Sequence, residues 1–322
     1  VIKSFSQAFI GTFLPIADIA VVMFAAGFLM RRRFIKQAHI DGLSAVTITV
    51  FFPCMIFANI LKNFKPEAFP FWWLLPLVAV IMAVAGLGLS GILFWRDLPA
   101  KRNMLPLAAM GNASYLVLPL GLQLFPGPQF ETFALYCFLF LLGFTPFLWS
   151  VGKFLVTASD EKDKMSWADL FTPPMAVNVA AILLVLTGLH RWIPDIVTHG
   201  VQLMGTATVP VATFVLGAVL GSIDIEIRQH LADALRTNLV KLFALPLLMV
   251  LILYFSGVAA DNDMLRRFLV IEAAVPPATN IILQVRRYGG DEHKIGSLML
   301  VSYILSLFTL PLWVALWGLV SQ

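Results

Sequence analysis

The chain has 322 residues, of which 60% are hydrophobic and only 12% charged, with a mean hydropathy of +0.89. Soluble domains run at about 25% charged because water must wet their surface. This composition therefore excludes a pair of soluble domains and makes the chain a polytopic membrane protein with little mass outside the bilayer. The net charge of +4 does not point to nucleic acid, because the charges lie in short clusters between apolar runs, as in membrane-protein loops.

Apolar runs of roughly 17–25 residues, enough to cross a bilayer, fall at about 13–30, 43–61, 70–95, 105–124, 130–152, 172–189, 196–221, 236–256, 268–285 and 295–319. Runs this continuous exclude a β-barrel, whose lumen-facing residues would alternate polar. The expected fold class is an all-α polytopic membrane protein with ten transmembrane helices. The first run precedes Arg31, Arg32 and Arg33, whereas a signal peptide carries its positive charge in front, so it reads as a true span. Fifteen Lys and Arg residues fall in the odd connections (1–2, 3–4, 5–6, 7–8 and 9–10), against six in the even connections and the start. That bias predicts a multi-pass protein of the cell (inner or plasma) membrane with the odd connections in the cytoplasm and both termini outside.

The longest hydrophilic stretch, Thr157–Ser166, divides the spans five and five. It suggests a first repeat at 1–152, a cytoplasmic connecting loop at 153–171 and a second repeat at 172–322. Helix breakers recur in the same order in both halves. Pro53 matches Pro210, Pro76 matches Pro246, and Pro146 before Trp149 matches Pro311 before Trp313, at separations of 157, 170 and 165 residues. A repeat with an odd number of spans must be inverted relative to its copy, an arrangement typical of secondary transporters.

Spans 4 and 9 are both interrupted. Span 4, LPLAAMGNASYLVLPLGLQLF, has Gly111 and Asn112 near its centre; span 9, FLVIEAAVPPATNIILQV, has Pro276 and Pro277, 165 residues after Gly111. Adjacent prolines unwind a helix, and glycine beside asparagine is a milder breaker. Unwound backbone at membrane depth is tolerated only inside protein or beside a water-filled cavity. The N–H groups freed there favour an anion. The candidate substrate-binding residues are Gly111, Asn112, Ala113, Ser114, Pro276, Pro277, Thr279 and Asn280, with Asn112 expected to bond the substrate directly.

At these residues the chain resembles the auxin efflux carrier family in its compact prokaryotic form. The stretches that carry the resemblance are GNASYLVLPLGLQLFPG (111–127), GTATVPVATFVLGAVLG (205–221) and EAAVPPATNIILQVRRYGGDEHKIGSLMLVSYILSLFTLPLW (272–313). The fourth span departs from the plant members, having Gly111 where they place a proline. The resemblance implies a scaffold domain of spans 1, 2, 6 and 7, and a transport domain of spans 3–5 and 8–10 that moves as an elevator. It also implies dimerisation through the scaffold and a small organic acid as substrate: auxin-like, or malonate- or malate-like.

Ionisable residues within spans are few, and each is a functional hypothesis because charge in lipid is costly. Glu272, four residues before Pro276, is the best candidate for proton or sodium coupling. Asp18, near the outer interface, fits solvation as well as coupling, and Lys241 is expected to snorkel to the cytoplasmic surface. The five histidines fall near span ends without i, i+4 pairing, so no metal is expected, and no motif asks for a cofactor. GLGLSG (86–91) has no preceding strand and reads as helix packing rather than a dinucleotide loop. Cys54 and Cys137 lie in apolar runs and read as small hydrophobes. A membrane-embedded enzyme would need a polar catalytic constellation, and a passive anion channel would need rings of polar or charged residues. No catalytic constellation with recognisable spacing is found and two broken helices suit a carrier better than a pore, so a secondary transporter of a small organic anion is the function expected, with a passive anion channel or a membrane-embedded enzyme as the alternative.

Single cysteines at Gln37, Ala100 and Asp163 are expected to label only from the cytoplasmic side. Labelling of any of them from outside intact cells overturns the orientation.

Overall fold

The structure, a computed structural model, describes residues 2–156, 171–223 and 230–321. The hydrophilic middle stretch, with Lys162 and Lys164, and the loop residue Arg228 lie outside the described residues, as does most of the 153–171 connection. In chain order the helices, apart from single-turn segments, begin with α1 (Ile2–Arg31), α2 (Gln37–Asn63), α3 (Leu74–Leu93), α4 (Leu105–Ala109), α5 (Val117–Leu124) and α6 (Pro128–Val156). They continue with α7 (Pro173–Leu186), α8 (Asp195–Gly221), α9 (Leu231–Ser256), α10 (Asp263–Ala274), α11 (Asn280–Tyr288) and α12 (Glu292–Val320).

Among the described residues, seven of these helices are long and apolar enough to cross a membrane: α1, α2, α3, α6, α8, α9 and α12. The chain is thus an all-α, multi-span membrane protein. Three of the ten expected spans are not single long helices. The run at 172–189 is the shorter apolar helix α7, of 14 residues. The runs at 105–124 and 268–285 are each two helical pieces, α4/α5 and α10/α11, parted by irregular backbone.

Prolines inside the long helices are accommodated locally. An interior proline leaves the carbonyl four residues earlier without its donor. In α9 the turn Leu239–Ala244 widens into a π-helix ahead of Pro246, and the orphaned Leu242 carbonyl accepts from the Trp313 indole Nε1 at 2.7 Å. A π turn at Thr47–Phe51 likewise precedes Pro53 in α2, and another at Leu148–Gly152 follows Pro146 in α6. Such widened turns often mark functional positions, and the one in α9 contains Lys241.

α1 packs along the second half of α8 and along α12, while α2 packs on α7 and on the first half of α8. α3 lies against α6, and α10 against α9 and α12. Glycines let α1 and α8 touch backbone to backbone: a Cβ on Gly217 would strike the Met23 backbone, and one on Gly221 the Gly27 backbone. In GLGLSG only Gly86 is tightly packed. A Cβ there would lie 2.7 Å from Ala109 Cα, whereas Gly88 and Gly91 have nothing within 4 Å.

Ion pairs gather the odd connections at one end of the bundle. Lys101 and Lys294 both pair with Asp233, and Arg236 pairs with Asp97. Arg31 donates to the carbonyls of Gly221 and Ile223, and Arg286 to Ser222 Oγ. Lys62 pairs with Glu131 between even connections.

Gly217→Val is expected to overpack the α1–α8 contact and cost about 1–3 kcal/mol, read as a lower thermal midpoint in detergent. Gly88→Ala, with open space around it, is the control and should not lower the midpoint.

Candidate functional site

The two interruptions meet. The extended backbone at Gly111 forms an isolated antiparallel bridge with Pro277. The Asn112 N–H donates to the Pro276 carbonyl at 2.8 Å, and the Ala278 N–H donates to the Met110 carbonyl at 3.0 Å. The pairing suits the sequence. The bridge uses the N–H groups of Asn112 and Ala278, so neither proline is asked for a donor it lacks. Val275, which precedes a proline, is pushed to extended geometry at φ −66° and ψ 147°, and α10 stops there. Gly111 is required by proximity: a Cβ on it would lie 3.0 Å from both Lys241 Nζ and Val275 Cγ2.

Side chains complete the crossing. Asn112, only 3% exposed, accepts from the Tyr115 N–H through Oδ1 at 3.0 Å, closing a turn ahead of α5. Its Nδ2 donates to the Tyr303 hydroxyl at 2.6 Å, and that hydroxyl donates to the Pro277 carbonyl at 3.1 Å. Cys137 Sγ donates to the Ala113 carbonyl at 3.0 Å. Asn112 is therefore engaged by the protein on both sides of its amide, which makes it a clamp for the crossing and leaves one of its N–H groups uncommitted.

On one side of the crossing lies a cavity of about 80 Å³. The crossing contributes Asn112–Tyr115 and Ala278–Asn280 to its wall; α2 adds Ile48, Phe52 and Ile56, α6 adds Thr145 and Trp149, and α7 adds Asn178. Among the described residues, no ionisable side chain other than Tyr115 lines it. The turn that leads into α5 and the first residue of α11 lie in its wall. On the opposite side, Lys241 in α9 packs against α4 and α10, and its Nζ donates to the Ala273 carbonyl at the end of α10 at 3.0 Å.

Of the residues singled out from sequence, Asn112, Ala113, Ser114, Thr279 and Asn280 line the cavity, while Gly111, Pro276 and Pro277 form the crossing behind it. Glu272 is buried beside the break with Oε1 unpartnered. Asp18 is exposed on α1 beside Leu14 and Val21 and is not brought to the site. The expectation for Lys241 fails. It is 1% exposed, because the carbonyl end of α10 offers its ammonium a partner within reach. Sequence reading also passed over Asn178, whose Nδ2 donates to the Phe138 carbonyl while Oδ1 stays buried without a partner. Its signal was an amide in the middle of an apolar run. Tyr303 gave no comparable signal, since a tyrosine in a span is ordinarily packing.

Tyr303→Phe removes one hydroxyl and leaves both the Asn112 amide and the Pro277 carbonyl short of a partner. A loss of about 1–3 kcal/mol is expected, measured as a lowered thermal midpoint. An unchanged midpoint would mean the crossing does not depend on this link.

A family model described as "Membrane transport protein" matches residues 12–166 and 162–314. The chain is also 22% identical over 290 residues to an uncharacterized transporter of Methanocaldococcus jannaschii, covering 87% of this chain and 90% of that protein. The matched segments take in the 111–127, 205–221 and 272–313 stretches entirely. The chain belongs to the membrane transport protein family.

Proposed function

We propose that this membrane transporter is a secondary carrier of a small organic anion, a mono- or dicarboxylate, that works by alternating access. The observation that carries the reading is the convergence of the turn before α5, with Asn112 and Ser114, and the start of α11, with Thr279 and Asn280, on one cavity that has no fixed charge among the described residues. Partial positive charge at two helix starts favours a carboxylate. Neutral hydroxyl and amide donors bond it without leaving a buried charge when the site is empty. That suits a carrier that must return unloaded. The unpartnered Asn178 Oδ1 is an acceptor, so it suits a ligand hydroxyl or a bridging water rather than the carboxylate itself.

The architecture we propose is two inverted five-helix repeats, ten crossings in all, counting α7 and each broken pair as one. Its supports are the matched prolines, the mutual pairing of the two breaks, and a family match that divides at 162–166. In this reading α1, α2, α7 and α8 form the scaffold and the homodimer contact, and α3–α6 with α9–α12 move as an elevator. The packing of α2 on α7 and α8, and of α3 on α6, supports that division. Both termini lie outside the cell.

The test is uptake of labelled malonate, malate and an indole carboxylate into proteoliposomes. One of these acids is expected to enter saturably and to be accelerated by the same acid inside, the behaviour of a carrier and not of a channel. Asn280→Ala should weaken its binding by about 1–3 kcal/mol, the usual loss for a hydrogen bond to a charged partner. Asn280→Asp, which repels an anion, should abolish uptake. If no acid of the three shows saturable, counter-stimulated uptake, the reading fails.

A further inference from the structure

Behind the crossing, away from the cavity, lies a second set of polar groups that anion binding does not use. Lys241 and Glu272 are each 1% exposed, and Cys137 is fully buried. The Lys241 ammonium rests on the backbone of Gly111 and donates to the Ala273 carbonyl. Glu272, one residue before Ala273, turns Oε1 into the protein where no donor meets it. A lone buried charge costs far more than a neutral group, and a carboxylate oxygen without a donor is costly unless it takes up a proton.

The titratable groups around this segment come from three elements packed on α10. They are Lys241 from α9, Cys137 and Tyr136 from α6, and Tyr303 from α12. Cys137 and Tyr303 are committed to backbone carbonyls of the crossing, and Tyr136 accepts from Asn262 at the far end of α10. Lys241 is held against the Ala273 carbonyl oxygen. Glu272 is the one carboxyl in the group and has an oxygen free to receive a proton.

We infer that Lys241 and Glu272 form a proton-coupling site of this carrier. Lys241 is a tethered cation that stabilises the carbonyl side of the crossing. Glu272 binds a proton on one side of the membrane and releases it on the other, one for each anion carried. An O–H bond forms at Oε1 with a proton from water and breaks when that proton returns to water; no electrons are transferred. The inference rests on the transport reading above, and it names the coupling ion that the reading leaves open.

Two measurements test it. Infrared difference spectroscopy of the purified protein across a pH series, without substrate, should show a protonated-carboxyl band that titrates. The band should be absent from Glu272→Gln and shifted in Lys241→Met. In proteoliposomes with the membrane potential clamped at zero, a one-unit proton gradient should drive roughly tenfold accumulation of labelled malonate, since one unit is worth 1.36 kcal/mol. Glu272→Gln should still exchange malonate for malonate but lose that accumulation. Glu272→Asp should keep it with a displaced pH profile, and serves where the Gln variant does not fold. A band that survives in Glu272→Gln, or no titrating band in the wild type, overturns the inference. Gradient-driven accumulation that persists in Glu272→Gln does so as well, because the proton then travels with the acid. If the wild type carries no malonate, the transport result counts against the substrate reading, and the infrared band alone decides whether Glu272 takes up a proton.

Discussion

Two hydrogen bonds between unwound chain segments are the constraint on which this molecule depends. Away from water, a backbone N–H or carbonyl without a partner costs several kcal/mol. Breaking two helices inside the bundle would leave many such groups. The Asn112 N–H on the Pro276 carbonyl, and the Ala278 N–H on the Met110 carbonyl, make each break satisfy the other. Carbonyls that remain are met by side chains from three other helices: Tyr303 on Pro277, Cys137 on Ala113 and Lys241 on Ala273. Neither break is tenable without its partner, which is why α4/α5 and α10/α11 must cross where they do.

That crossing also sorts charge. Each broken helix offers a carbonyl end and an N–H end at the same place. The carbonyl end of α10 meets Lys241 of α9, whose ammonium also lies close to Gly111; the turn before α5 and the start of α11 line the cavity. The protein thus supplies its own cation to the carbonyl end of α10. The surrounding packing holds this geometry. The π turn in α9 places Lys241, and its displaced Leu242 carbonyl is secured by Trp313 of α12, a helix that also supplies Tyr303. Elsewhere in the bundle, glycines bring the backbones of α1 and α8 into direct contact.

Much of this was legible in the sequence because its causes are local. Apolar runs of bilayer length follow from the cost of exposing backbone and charge to lipid, so the membrane class could be read from composition alone. The breaks could be read as well. Gly111 and the Pro276–Pro277 pair act on their own turn of helix whatever surrounds them, and their matched positions in the two halves anticipated that they meet.

What only the tertiary structure decided was the partner of each polar side chain. Spacing marks Asn112 as a candidate ligand, but not that its amide also spans Tyr115 and Tyr303, the latter 191 residues away in the chain. Lys241 stood near a span end and so looked destined for the membrane surface. It turns inward because a helix from the other side of the break ends beside it, a fact that no window around residue 241 contains. Asn178 and Asp18 show the same limit in opposite directions: the first faces the cavity, and the second faces away from the bundle. Where a helix stops is written in its own residues; which face of it meets a partner depends on how distant segments pack.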